Sequence, residues 1–152
     1  MAITAKDMDF TVFCIFDHSP ARVFAAMADP DQLSQHFTMG GAQGWMETGA
    51  TVTWEFADYP GPFEVAVIEA VSDSQITFDW GHPSGQGTNR VTFTFAEIAP
   101  GRTRVEVSES GWQPTPEGLG FAYGNVMGWT YMLAAMRVWL DHGIAMRPGM
   151  FK

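Results

Sequence analysis

Between Thr51 and Ser110 the chain repeats one pattern, in which apolar and polar residues alternate one for one. In TVTWEFAD, Val52, Trp54 and Phe56 share one face, while Thr51, Thr53 and Glu55 share the other. ITFDW sets Ile76, Phe78 and Trp80 against Thr77 and Asp79. RVTFTFAE sets Val91, Phe93 and Phe95 against Thr92 and Thr94, and TRVEVSE sets Val105 and Val107 against Arg104, Glu106 and Ser108. A side-chain period of two belongs to strands, and one wet face opposite one aromatic or β-branched face predicts an antiparallel sheet buried on one side. FEVAVIEAV reads as a further, more apolar strand, and YPGP, SDS, HPSGQG and APGR supply turns. Upstream, nearly every residue from Phe10 to Phe16 is apolar, as in a strand covered on both faces.

Such a sheet needs a cover. The segment from about Pro116 to His142 has helical period, with Phe121, Ala122, Val126, Trp129, Met132, Leu133, Met136, Trp139 and Leu140 in one broad arc. Thr130, Arg137 and Asp141 fall on the wet side. Two short helices are expected after the first strand. Ser19 caps one with Pro20 at its first position, and Asp29-Pro30 starts another through Leu33 to His36. The predicted fold is α+β: a curved antiparallel sheet of about six strands wrapped around one long C-terminal helix. A single domain over 1–152, with its core at about 10–143, is expected.

Charge narrows the partners. Seventeen acidic residues against eight basic ones give a net charge of −9, which argues against nucleic acid and against an anionic membrane surface. No stretch approaches the roughly 18 apolar residues of a membrane span, and the N-terminus lacks a signal-peptide pattern, so a cytoplasmic protein is expected. The single cysteine, Cys14, sits in an apolar strand and reads as a small buried hydrophobe.

The chemistry-bearing residues are dispersed. His18, His36, His82 and His142 form no i, i+4 pair, and no serine has a nucleophile-elbow context. No glycine loop follows a strand in a phosphate-binding pattern. No metal, cofactor or catalytic residue is assigned. Were there chemistry, His36, Glu69 and Asp79 would be the acid–base candidates.

Two features of the long helix remain. Gly120, Gly124 and Gly128 form a stripe beside its apolar arc, each costing about 1 kcal/mol relative to alanine in a helix interior. Close packing against the sheet is the preferred reading; open volume for a ligand, with a helix that flexes as a lid, is the alternative. Asn125 falls on the apolar arc. A buried amide without a partner costs about 1–3 kcal/mol, so it must meet backbone, water or ligand. The rings of Trp54, Trp80, Phe93, Phe95 and Trp129 read either as core or as the wall of a cavity.

The order of strand, two short helices, a run of strands and a long C-terminal helix resembles the START-like (SRPBCC) helix-grip superfamily. Within it the chain is most similar to the family named after the C-terminal domain of the activator of Hsp90 ATPase (AHSA1-like). SPARVFAAMADPDQLSQHF, METGATVTWEF, FEVAVIEAVSDSQITFDW, VTFTFAEIAPGRTRVEVSESGW and GWTYMLAAMRVWLDHG carry the likeness, from about Phe10 to Gly143. His36 and Phe37 stand where the family often has tryptophan, and only Gly49, followed by Ala50, remains of a paired glycine. The resemblance implies an elongated cavity between sheet and helix that holds a hydrophobic or amphipathic small molecule, in a carrier, sensor or sequestering protein. Relatives also include cyclases and hydrolases, and the namesake is a chaperone partner, partly through an additional domain. The cavity-lining candidates are Trp54, Phe78, Trp80, Phe93, Phe95, Phe121, Asn125, Trp129, Met132 and His36. Asn125, with Tyr123 or His36, would orient a polar group. A monomer or homodimer is expected, and the tail IAMRPGMFK is left free to pack or dangle.

Overall fold

Each alternating segment pairs with its neighbour in sequence, and the pairing runs on into one sheet. In the computed structural model, which describes residues Met1–Lys152, the strands are β1 (Phe10–Phe16), β2 (Ala42–Gln43), β3 (Thr51–Phe56), β4 (Tyr59–Val71), β5 (Gln75–Gly81), β6 (Thr88–Ala99) and β7 (Arg102–Ser110). They form a seven-stranded antiparallel sheet in the order β1-β7-β6-β5-β4-β3-β2. The additional strand relative to the sequence reading is β2, two residues that extend the edge beside β3. Register shifts at Trp54/Phe56, Val67/Glu69 and Glu97/Ala99 insert bulges, and each adds local bend and twist, so the sheet curves.

The YPGP segment, expected as a turn, opens β4 instead. Two prolines are tolerated there because β4 pairs with β5 only from Ala66 onward, which leaves the earlier residues without a second ladder to donate to. The Glu55 carboxylate takes the Gly61 N–H at 2.8 Å and steadies the crossing.

The short helices are α1 (Pro20–Ala28) and α2 (Pro30–His36), each with proline in its first turn. The Ser19 hydroxyl accepts the Arg22 N–H, and the Asp29 carboxylate accepts the Asp31 N–H. The long helix α3 (Pro116–His142) is capped by Thr115, whose hydroxyl accepts the Gly118 N–H at 3.0 Å. It ends at Gly143, whose φ of 66° is the left-handed cap that glycine adopts without strain. The outer edge of β1 is blunted where Arg137 of α3 donates to the Ile15 carbonyl at 3.0 Å.

The core lies between the concave face and α3. Val52, Trp54, Val65, Val67, Ile76, Phe78, Val91, Phe93, Val105 and Val107 supply the sheet side. Trp129, Met132, Leu133, Met136 and Leu140 supply the helix side, as the wheel predicts. Trp129 is the hub, its ring 5.1 Å from Trp80, 5.5 Å from Phe93 and 5.7 Å from Phe37 between centroids.

His36 closes α2 inside this core, fully buried, with its ring 5.7 Å from that of Trp139. It makes one hydrogen bond, from Nε2 to the Ala26 carbonyl at 2.8 Å, while Nδ1 has no partner. Burial pushes its pKa down to about 4, the bond to Ala26 opposing the shift. The unfolded chain therefore takes up a proton below about pH 6.5 that the folded chain refuses until about pH 4. The unfolded state binds more protons in that window, so stability falls as pH falls through it, by on the order of 3 kcal/mol. Urea denaturation at pH 7 and pH 4.5 is expected to show this slope, and His36→Phe to flatten it. An unchanged slope in the variant would assign the acid sensitivity elsewhere.

Candidate functional site

At one end of the core the helix stands away from the sheet and leaves an open cleft of about 310 Å³. Phe37 follows α2, Phe56 closes β3, Tyr59 opens β4 and Trp80 lies near the end of β5. Gly124, Asn125, Met127, Gly128 and Trp129 form the helix wall. The remaining wall is the segment after α3, through Arg147 and Phe151.

That tail packs, and it does so through one cation. The Arg147 guanidinium donates twice to the Asp58 carboxylate, from Nε and Nη2, each at 3.1 Å. It also lies 4.7 Å from the Phe56 ring centre and 4.8 Å from that of Phe151. A two-pronged ion pair against aromatic faces, with little water contact, is the setting in which such a pair holds a segment in place. The edge of Tyr131 meets Phe151 at 5.6 Å, a second point of attachment.

Behind the cleft lies the least expected group in the molecule. Glu109 is 1% exposed, and no cation pairs with it. Four neutral side chains donate to its two oxygens instead. Trp129 Nε1 reaches Oε1 at 2.7 Å, and Asn89 Nδ2 reaches Oε2 at 2.9 Å. Trp80 Nε1 reaches Oε2 at 3.2 Å, and Asn125 Nδ2 spans both oxygens at 3.1 and 3.0 Å. A carboxylate that only accepts hydrogen bonds satisfies such a ring of N–H groups. Its lone pairs are thereby committed to the protein, which leaves it unsuited as a metal ligand. Its parity follows from the strand, since Thr103, Val105, Val107 and Glu109 all face inward along β7.

Of the ten residues expected at a cavity wall, Trp80, Asn125 and Trp129 line this cleft. Trp54, Phe78, Phe93, Phe95 and Met132 are buried in the core and do not line it. His36 faces inward, bonded to Ala26, and is not at the cleft mouth. Phe121 lies in a separate cluster with Met8, Trp112 and Ala122, its ring 5.8 Å from His82. Tyr123 points outward, 66% exposed. The wet-face acid Asp79 is held by Arg90 at 2.9 and 3.0 Å, and Glu69 is exposed on β4.

The glycine stripe does not pack against the sheet. A Cβ built on Gly120, Gly124 or Gly128 would meet no atom within 4 Å outside the helix's own backbone. The preferred packing reading is therefore corrected: the stripe borders open space, and two of its three glycines wall the cleft.

A family model described as Activator of Hsp90 ATPase homolog 1-like protein matches residues 17–141. No curated protein matches the sequence. Among solved structures, the chain is similar to the protein SSP2350 from Staphylococcus saprophyticus, with 24% identity over 91% of this chain and 96% of that one, at a TM-score of 0.78. It is similar to DynU16, a protein of the dynemicin biosynthetic locus, with 20% identity over 90% of this chain and 48% of that one, at a TM-score of 0.77. It is also similar to Aha1 from Colwellia psychrerythraea, solved in solution as a dimer, with 19% identity over 89% and 97%, at a TM-score of 0.73. These likenesses bear on the fold, a helix-grip sheet closed by a C-terminal helix. With the family model covering most of its length, the chain belongs to the Activator of Hsp90 ATPase homolog 1-like family.

Proposed function

We propose that this chain binds an amphipathic small molecule in the cleft between α3 and the β3–β5 end of the sheet. The carrying observation is the pair of bare positions at its wall, Gly124 and Gly128. Each sacrifices about 1 kcal/mol of helix stability and receives no close backbone contact in return. The cleft volume, about 310 Å³, falls at the lower end of the range of small-molecule sites, about 300–1,000 Å³. Aromatic rings with a few polar groups make the kind of wall that buries an apolar body and orients its head. The neighbour from a biosynthetic locus agrees with a role beside small-molecule chemistry.

Two substitutions separate packing from binding. Gly124→Ala is expected to raise stability by up to about 1 kcal/mol, because the new methyl group has space and the helix gains propensity. Gly128→Leu fills the cleft and is expected to leave the fold intact. Native mass spectrometry of gently purified protein, compared with its denatured mass, is expected to show a small-molecule adduct that Gly128→Leu lacks. An adduct retained at full occupancy in Gly128→Leu would place the ligand elsewhere. Loss of stability in Gly124→Ala would restore the packing reading.

A further inference from the structure

The Asn125 side chain is fixed end for end. Its Nδ2 faces both oxygens of Glu109, at 3.1 and 3.0 Å. Turning the amide over would set its own oxygen against the carboxylate, acceptor against acceptor, so the carboxylate dictates the orientation. The carbonyl oxygen Oδ1 then has no partner in the protein and is not buried, and the open space beside Asn125 is the cleft. The helix wall thus offers an acceptor that cannot become a donor, with an uncompensated negative charge directly behind it.

The other polar groups do not reverse this. The Asn125 amide nitrogen, spanning both oxygens, and the Trp80 and Trp129 indoles all donate to Glu109. The charge of Arg147 is engaged by Asp58 through two bonds of 3.1 Å. Apart from the Tyr59 hydroxyl, which can accept as well as donate, the rest of the wall is aromatic or apolar, and ring faces attract a donor or a cation more than an anion.

We infer that the cleft selects ligands whose polar head is a hydrogen-bond donor, a hydroxyl or a protonated amine on a flat apolar body, and rejects carboxylates of the same shape. Asn125 Oδ1 receives the head, and Glu109 acts as a positioning residue that holds Asn125 in that sense and adds its charge. This rests on the binding reading above and deepens it.

Three probes that share one ring and differ in head test it: 2-naphthylmethylamine, 2-naphthylmethanol and 2-naphthoate, titrated into the full chain by calorimetry at neutral pH. The amine or the alcohol, or both, should bind at least about tenfold more tightly than the carboxylate, the ratio expected for one mismatched polar contact. Binding by the amine alone would narrow the donor to a cation, and binding by the alcohol alone would narrow it to a neutral hydroxyl. In Asn125→Leu the naphthyl ring should still bind, with the three heads within about twofold of one another. Equal affinities in the parent protein, or a preference for the carboxylate, would overturn the inference and leave the cleft a binding site. Discrimination that survives Asn125→Leu would overturn the role of Asn125. No binding by any probe would remove both the inference and the binding reading.

Discussion

Glu109→Leu is expected to destabilise the protein by about 2–6 kcal/mol. Leucine has nearly the volume of glutamate, so the loss is not a cavity effect. It arises from the N–H groups left behind. Asn89 and Trp129 are buried, at 0% and 2% exposure, and without the carboxylate neither has an acceptor for the N–H it now donates. Each unpaired buried donor costs about 1–3 kcal/mol. Trp80 and Asn125 border the cleft, where water can reach them, and they add less. Against a total stability of about 5–15 kcal/mol for a domain, this is a large fraction. Glu109→Gln keeps one acceptor oxygen and is expected to fall between the two. Urea denaturation measures all three. A Glu109→Leu protein as stable as its parent would mean that the four donors find other acceptors, and the carboxylate would lose its structural role.

Trp129→Ala is expected to cost about 3–5 kcal/mol, the usual figure for deleting a large buried ring. The ring touches Phe37, Phe78, Trp80 and Phe93, so its loss opens a void that four aromatic neighbours cannot fill without leaving their own rotamers. It also removes the shortest bond to Glu109, at 2.7 Å. Trp129→Phe separates the two contributions, since it keeps most of the ring and discards the N–H. A loss of about 1.5–3 kcal/mol in that variant is the value of a hydrogen bond to a charged acceptor. A cycle combining Trp129→Phe with Glu109→Leu should show coupling of about 0.5–3 kcal/mol between residues in contact. Additive losses would mean that ring and carboxylate act independently.

The strands, their buried faces and the helix arc were legible because each obeys a period that packing enforces. Val91, Phe93 and Phe95 face the core for the same reason that they alternate with threonines. Glu109 was legible by parity, standing two residues beyond Val107, but no period explains a carboxylate on the buried face. Only three-dimensional convergence shows why it is tolerated, because its donors come from β5, β6 and α3. Asn125 announced itself as a polar residue on an apolar arc, and its partner did not. Arg147 carried no signal at all, since it follows the last helix, and Asp58, its partner, sits in a turn 89 residues earlier. The glycine stripe was visible, but whether it met a neighbour or open space is a question of distance that no period encodes.

The position of β1 in the sheet has a consequence for the making of the protein. Phe10 pairs with Glu109 and Phe16 with Thr103, so the most apolar strand is made first and finds its partner nearly last. At ribosomal rates of about 5–20 residues per second, FTVFCIF waits unpaired for several seconds, an aggregation-prone ribbon with no charge in it. The strand that finally sequesters it is the one that carries Glu109, and the donors Asn125 and Trp129 emerge later still. Closing the sheet and enclosing the carboxylate are therefore successive moments of one late event, and ribbon and carboxylate alike stay vulnerable until α3 arrives.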